Sequence, residues 1–313
     1  MRIREITAVL EAWAPRSLQE SYDNSGLQLG DPDQEVSAAL VCLEVTEAVV
    51  AEAVTKDCQL IISHHPLIFK GLKSLAGKGH VERTLLAALR NDIALYCIHT
   101  NLDNVITGVN SAIADRLQLV QRRVLAPRPD SLLKLVVFVP HAHVEAVRDA
   151  VFAAGGGHVG DYDECSFGAE GQGTFRPGAG TDPFVGTIGE RRTEPETRLE
   201  FLLPSAWSGP VVRAMREAHP YEEVAHDLIP LRNLHQGIGS GLVGELEAPV
   251  GEEELLQRLK REFRLAVVRH SPLHGRKVAR VALCGGSGAF LIPAAKAAGA
   301  DIFITGDVKY HDF

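Results

Sequence analysis

The first apolar positions of the chain, Ile3, Ile6, Val9 and Leu10, recur at three- and four-residue spacing. That spacing predicts an amphipathic helix from Ile3 to Trp13, with Pro15 beyond its end. The pattern then changes. Ala38 to Val45, Gln59 to Ser63 and Ile93 to Ile98 are short apolar runs that read as strands, the last two as buried ones. Helical stretches separate and follow them. Thr46 can cap a helix reaching Lys56, with Glu47 in its first turn, Val81 to Arg90 forms another, and Asn110 to Leu117 a third. Strands alternating with helices predict a parallel sheet with right-handed crossovers.

Composition shifts at Ala126-Pro127-Arg128-Pro129-Asp130, and a second pattern begins. Strand Leu132 to Val139 and helix Val144 to Ala154 lead into a glycine-rich stretch from Gly155 to Gly189. Strand Arg198 to Leu203, helix Gly209 to Ala218 and strand Val224 to Ile229 follow. With a hairpin in the glycine-rich part, the order is β-α-β-β-α-β, that of a ferredoxin-like α+β domain. Gly237-Ile238-Gly239-Ser240-Gly241 then leads back to α/β material: helix Glu252 to Phe263, strand Val278 to Cys284, helix Ala289 to Ala298 and strand Asp301 to Thr305. Val308 to Phe313 reads as the start of one more helix. The expected organisation is a split α/β domain, residues 1–126 and 236–313, with an α+β domain of residues 127–235 inserted into it.

Bulk composition narrows the partners. The 313 residues carry a net charge of −8 and no Lys/Arg-rich run, which argues against duplex nucleic acid and leaves a small nucleotide open. No apolar stretch is long enough to span a bilayer, and Met1-Arg2-Ile3-Arg4-Glu5 lacks the apolar core of a signal peptide. The five cysteines are scattered without a C-x-x-C, and Cys42, Cys97 and Cys284 lie in or beside apolar runs. Free thiols in a reducing cytoplasm are expected.

The chemistry gathers at strand ends. His64-His65 follows the run ending at Ser63, and Asp103 follows the run ending at Ile98. Open α/β sheets bind ligands at such ends. Imidazole and carboxylate together suit zinc, iron, manganese or nickel. Adjacent histidines in an extended chain point to opposite faces, so both reach one ion only if the chain bends, and Pro66 helps end the strand. Asp103 can bridge two divalent ions or form an Asx turn or cap. His99 reads equally as a ligand, a donor behind the ligands, or a buried strand-end histidine. Asp307, in Thr305-Gly306-Asp307 after the last strand, is a further ligand or orienting candidate, with His311 one turn later. Asp23-Asn24-Ser25-Gly26 reads as a turn. Gly285-Gly286-Ser287-Gly288 either presents N–H groups to an anion or makes a tight connection. His219-Pro220-Tyr221-Glu222-Glu223 reads as a structural turn with a paired histidine. No G-x-S-x-G and no cysteine–histidine nucleophile motif is present.

Four ordered segments resemble one family. They are Asp23-Asn24-Ser25-Gly26-Leu27-Gln28, Ser63 through Lys70, Thr100-Asn101-Leu102-Asp103 and Ile304 through His311, and they are similar to the Nif-three-like family, whose members are often labelled GTP cyclohydrolase I type 2 homologues. The segment with Ala218-His219-Pro220-Tyr221-Glu222-Glu223 resembles the PII-like and divalent-cation-tolerance-like insertion of its longer bacterial members. The resemblance implies two α/β halves around a dinuclear metal site and a toroidal homohexamer. It implies two divalent ions per subunit, with His64, His65 and Asp103 as ligands. Two more ligands, a His and a Glu, are expected from a segment after the G-D-x-x-Y-H motif, beyond residue 313. The activity implied is metal-assisted hydrolysis of a nucleotide or other small molecule, with C8 of guanine as the target if the label applies. His99 or Asp307 would act as base or orienter. Rival readings are a non-catalytic metal-handling or regulatory protein, and a ring-shaped scaffold stabilised by its metal.

Overall fold

The predicted first helix forms as α1 (Ile3–Trp13), burying Ile3 and placing the Trp13 indole on the Thr107 hydroxyl at 2.8 Å. A computed structural model describes residues 1–313, which divide into two compact units: Met1–Pro127 with Gln236–Phe313, and Arg128–His235.

The first unit continues with β1 (Gly26–Leu29), β2 (Ala39–Cys42), α2 (Glu47–Thr55), β3 (Leu60–Ser63), α3 (His80–Arg90) and β4 (Ala94–Cys97). Thr46 caps α2 by accepting from the Val49 amide, a contact worth about 1 kcal/mol. Asp57 and Asp92, in the left-handed region at φ 52° and 55°, end the turns that lead from α2 and α3 into the next strands. The sheet order is β1-β4-β3-β2. β2, β3 and β4 are parallel as expected, and β1 adds an antiparallel edge. Ile61 and Leu95 of the central strands join Val50, Ala53, Leu85 and Ala88 of the helices in one core. The register pairs Ser63 with Cys97, so the residues after β3 and β4 emerge at the same edge.

Beyond that edge come α4 (Thr100–Asp103), α5 (Val109–Arg116) and β5 (Leu119–Pro127). Gly108 lets α5 begin directly against α4, since a Cβ there would lie 1.8 Å from the Leu102 carbonyl oxygen.

The second unit is β6 (Leu132–Pro140), α6 (Val144–Ala153), β7 (Ser166–Phe175), β8 (Arg192–Pro204), α7 (Ser208–Ala218) and β9 (His226–Pro230). Its antiparallel sheet has the order β7-β8-β6-β9, the ferredoxin-like arrangement. Leu135, Val137, Leu199 and Phe201 pack against Val147, Val151, Val211 and Met215 of the helices. β8 begins at Arg192, ahead of the apolar run that starts at Leu199, because pairing with β7 carries it through polar residues.

The chain returns to the first unit as β10 (Gly239–Gly251), α8 (Glu252–Glu262), β11 (Lys277–Ser287), α9 (Ile292–Ala297) and β12 (Ile302–Asp307). Here the sheet order is β12-β11-β10-β5, and only β11 and β12 are parallel. The two strands read from the sequence here, β11 and β12, are the parallel pair, and the strands not read, β5 and β10, add the antiparallel part. β5 and β10 escape an apolar-run criterion because Gln121-Arg122-Arg123 and Glu245 interrupt their apolar positions. Residues Tyr310–Asp312 form a short 3-10 turn where the start of a helix was expected. No helix is long and apolar enough to cross a membrane.

Candidate metal centre

After Ser63 the chain does not run on as a straight strand. The His64 and His65 amides donate to the carbonyls of Cys42 and Leu43 at 3.2 and 2.9 Å, and the Ser63 hydroxyl donates to the His65 carbonyl at 2.9 Å. The two rings end up with centroids 5.2 Å apart, instead of on opposite faces. His99, from the end of β4, joins them at 5.2 Å from His64 and 5.5 Å from His65. One ligand nitrogen from each of the three lies within 4.8 Å of the others.

The far side of each ring is held. His64 Nδ1 meets the Ile98 carbonyl at 3.0 Å, His65 Nδ1 meets Glu44 Oε1 at 3.1 Å, and His99 Nδ1 meets Asp23 Oδ1 at 2.8 Å. A carbonyl only accepts, and so does an ionised carboxylate, so each Nδ1 carries the proton and each Nε2 keeps a free lone pair. Metal-binding histidines are oriented this way. Burial, and then the neighbouring His99, hold the His64 pKa below its usual value, which favours the neutral ring that a cation requires.

Asp23 is the strongest of these anchors. Its side chain is fully buried. Oδ1 accepts from His99 and from the Asn24 amide at 2.7 Å. Oδ2 accepts from the Thr100 amide at 3.0 Å, from Ser25 Oγ at 3.2 Å and from the Thr100 hydroxyl. Burial works to raise its pKa, but the hydrogen bonds from Thr100 and His99 outweigh it and the net shift is downward. The turn read from Asp23-Asn24-Ser25-Gly26 is therefore also the device that orients His99. Its sequence signal is a turn rich in side-chain acceptors, which does not reveal a partner so distant in the chain.

Asp103 closes α4, with Oδ1 3.9 Å from His64 Nε2. That oxygen is buried and has no hydrogen-bond partner. Burial, and then the charge on Asp23, push the Asp103 pKa up to about 7. A buried carboxylate oxygen without a donor is costly, and a cation between it and the imidazoles removes that cost. Asn110 braces the residue, donating to the Asp103 carbonyl at 2.9 Å while accepting from the Gly285 amide at 2.9 Å. The donor set thus fits a metal cation.

Other candidates fall elsewhere. Asp307 is exposed at the end of β12, in register with Ser287 and outside the three-imidazole group. His311 is exposed and lies edge-on to Tyr310. In the glycine loop the Gly285 and Gly288 amides are engaged by Asn110 and Thr305, as in a tight connection. Cys97 and Cys284 have pKa values pushed up to about 12 and about 11, chiefly by burial, and stay thiols.

Compared with known proteins, the whole chain, residues 1–313, matches the Duf34/NIF3 (NGG1p interacting factor 3) family. The chain belongs to the Duf34/NIF3 family. Among members, a Halalkalibacterium halodurans protein is 39% identical over 98% of this chain and 82% of its own length. A Bacillus subtilis protein is 38% identical over 98% of this chain and 83% of its own length. Both carry the name GTP cyclohydrolase 1 type 2 homolog. The crystal structure of a Bacillus cereus protein related to NIF3 superposes with a TM-score of 0.85 at 38% identity, over 100% of this chain and 84% of that one. This Duf34/NIF3 member thus has the mixed α/β architecture expected of it, together with a histidine cluster suited to a metal ion.

Proposed function

We propose that the protein is a divalent-metal-dependent hydrolase whose cation is held by His64, His65 and Asp103. The observation that carries this reading is the buried, unpartnered Asp103 Oδ1 facing His64 Nε2 at 3.9 Å. A divalent ion bound there supplies Lewis acidity for hydrolysis. His99 is the proposed general base: Asp23 holds Nδ1–H, Nε2 would take a proton from the water as its oxygen bonds to the substrate and would return it to the leaving group, and the buried carboxylate would stabilise the intervening imidazolium. No contact of Asp307 supports a catalytic part for it, and none is proposed. The names of the relatives point to a guanine nucleotide as the first substrate to try. A pair of ions, as the resemblance implies, is the finer form of the proposal. The homohexamer that the resemblance implies is a further part of the proposal, and Val41, 77% exposed on edge strand β2, with Leu43 beside it, 63% exposed, is the surface it would cover. Light scattering after size exclusion tests it.

The test of the main proposal is metal content by elemental analysis, paired with GTP turnover followed by formate release. Wild type is expected to hold metal, and His64→Ala with His65→Ala to lose it. His99→Gln is expected to keep metal and lose turnover by about 10²–10⁴-fold. Unchanged metal content in the double variant refutes the ligand assignment. Loss of metal from His99→Gln would make His99 a ligand.

A further inference from the structure

The second unit contains a cavity of about 630 Å3, within the usual size of a small-molecule site. Its wall comes from β7, β8, the segment between them and the turn after α7. Three aromatic rings line it: Phe175 and Phe184 lie with centroids 6.0 and 6.2 Å from that of Tyr221. Glu196 lies in the same wall and is only 7% exposed. It makes no ion pair, for the nearby Arg198 is paired with Glu200 at 2.9 Å and Arg192 with Glu194 at 2.8 Å. The Tyr221 hydroxyl is buried beside Glu196, whose charge helps to hold its pKa above the usual phenol value, after burial itself.

The surroundings hold these groups in place. Gly173 gives the carboxylate its room, since a Cβ there would lie 2.1 Å from Glu196 Oε2. His219 fixes the turn that carries Tyr221: its Nε2 meets the Phe138 carbonyl at 3.0 Å, and its Nδ1 accepts from the Tyr221 amide at 3.1 Å. Glu222 accepts from the Asp182 amide at 3.1 Å, tying down the segment that bears Phe184.

A buried carboxylate without an ion pair suits a cation. A bare metal ion would need several ligand groups, and Glu196 belongs to no such cluster. Aromatic faces around a carboxylate instead suit an ammonium group on an apolar body. Four glutamates against two arginines in the wall favour the same charge. We propose that this cavity binds a small organic cation, an amine or substituted ammonium with an apolar or aromatic body. Glu196 is its counter-charge, and Phe175, Phe184 and Tyr221 pack on it.

The probe is phenethylamine, titrated into the full chain by calorimetry and ligand-observed NMR, with 2-phenylethanol and phenylacetate as neutral and anionic controls. The amine is expected to bind at least about tenfold more tightly than either control, and Glu196→Gln to remove that preference, as loss of a hydrogen bond to a charged group implies. Circular dichroism reports whether the variant folds. If it does not, Gly173→Ala, which displaces the carboxylate, is expected to weaken the amine by a similar factor. Equal binding of amine and alcohol, preferential binding of phenylacetate, no amine binding at millimolar concentration, or a preference that survives in the variant that folds would each overturn the proposal.

Discussion

At the ends of β3 and β4 every imidazole has its outer nitrogen fixed by an acceptor, while in the second unit Glu196 stands among aromatic rings with no ion pair. Both regions bury charge-capable groups, yet the two proposals give them different cations. Around the histidines, the acceptors fix ring orientation and tautomer, leaving three lone pairs and one carboxylate oxygen converging on a small volume. That arrangement suits a metal ion. Around Glu196 a buried carboxylate lies among aromatic rings in an acidic wall, which suits a cation that carries its own apolar body. The difference lies in what surrounds each carboxylate, since both use a buried acid.

The sharpest way to separate the two regions is to remove the ligands of one. His64→Ala with His65→Ala is expected to abolish metal binding while amine binding in the second unit stays unchanged, with elemental analysis and calorimetry as the two readouts. Asp23→Ala comes next. It frees His99 and leaves the buried Thr100 amide without its acceptor, so turnover should fall about 10–100-fold with metal retained. Stability should fall by about 1–3 kcal/mol in urea denaturation.

The second unit has its own test through pH. Burial, with a smaller contribution from His143, holds the His219 pKa below the usual imidazole value, against the Phe138 carbonyl, which raises it. The unfolded chain therefore takes up the proton first as pH falls. The stabilisation is fully present above about pH 6.5 and is lost as pH drops through that value toward the folded-state pKa. Protonation also removes the acceptor for the Tyr221 amide, so the same loss of Tyr221 placement should weaken amine binding. Urea titrations from pH 7.5 to 5 should show the decline, and His219→Ala should reduce it, leaving the share of His64 and His235, which burial also holds low. The smallest effect is expected from Glu44→Gln. Glu44 is 64% exposed beside His65, so metal affinity should change by no more than a few-fold.

Much of the first sheet was legible in the sequence because β3 and β4 are buried on both faces and read as apolar runs, which in turn marked His64, His65 and Asp103 as strand-end residues. β5 and β10 were not legible, since polar residues interrupt their apolar positions. Asp23 looked like an ordinary turn residue because its partner His99 lies 76 positions away, a contact made only by folding. Glu196 was hidden for a related reason. It lies in the polar part of β8, and only the pairing with Gly173-bearing β7 turns that stretch into the wall of a cavity. Local periodicity finds elements and their ends, but the groups that stand behind the ligands come from distant turns.

The most direct test of the central claim is metal affinity in wild type and Asp103→Asn, measured by chelator competition with elemental analysis on the same samples. Replacing one oxygen by an amide keeps the shape and removes the charge. The account predicts metal in the wild type and at least about tenfold weaker binding in the variant. Wild-type stoichiometry and affinity in Asp103→Asn would contradict it.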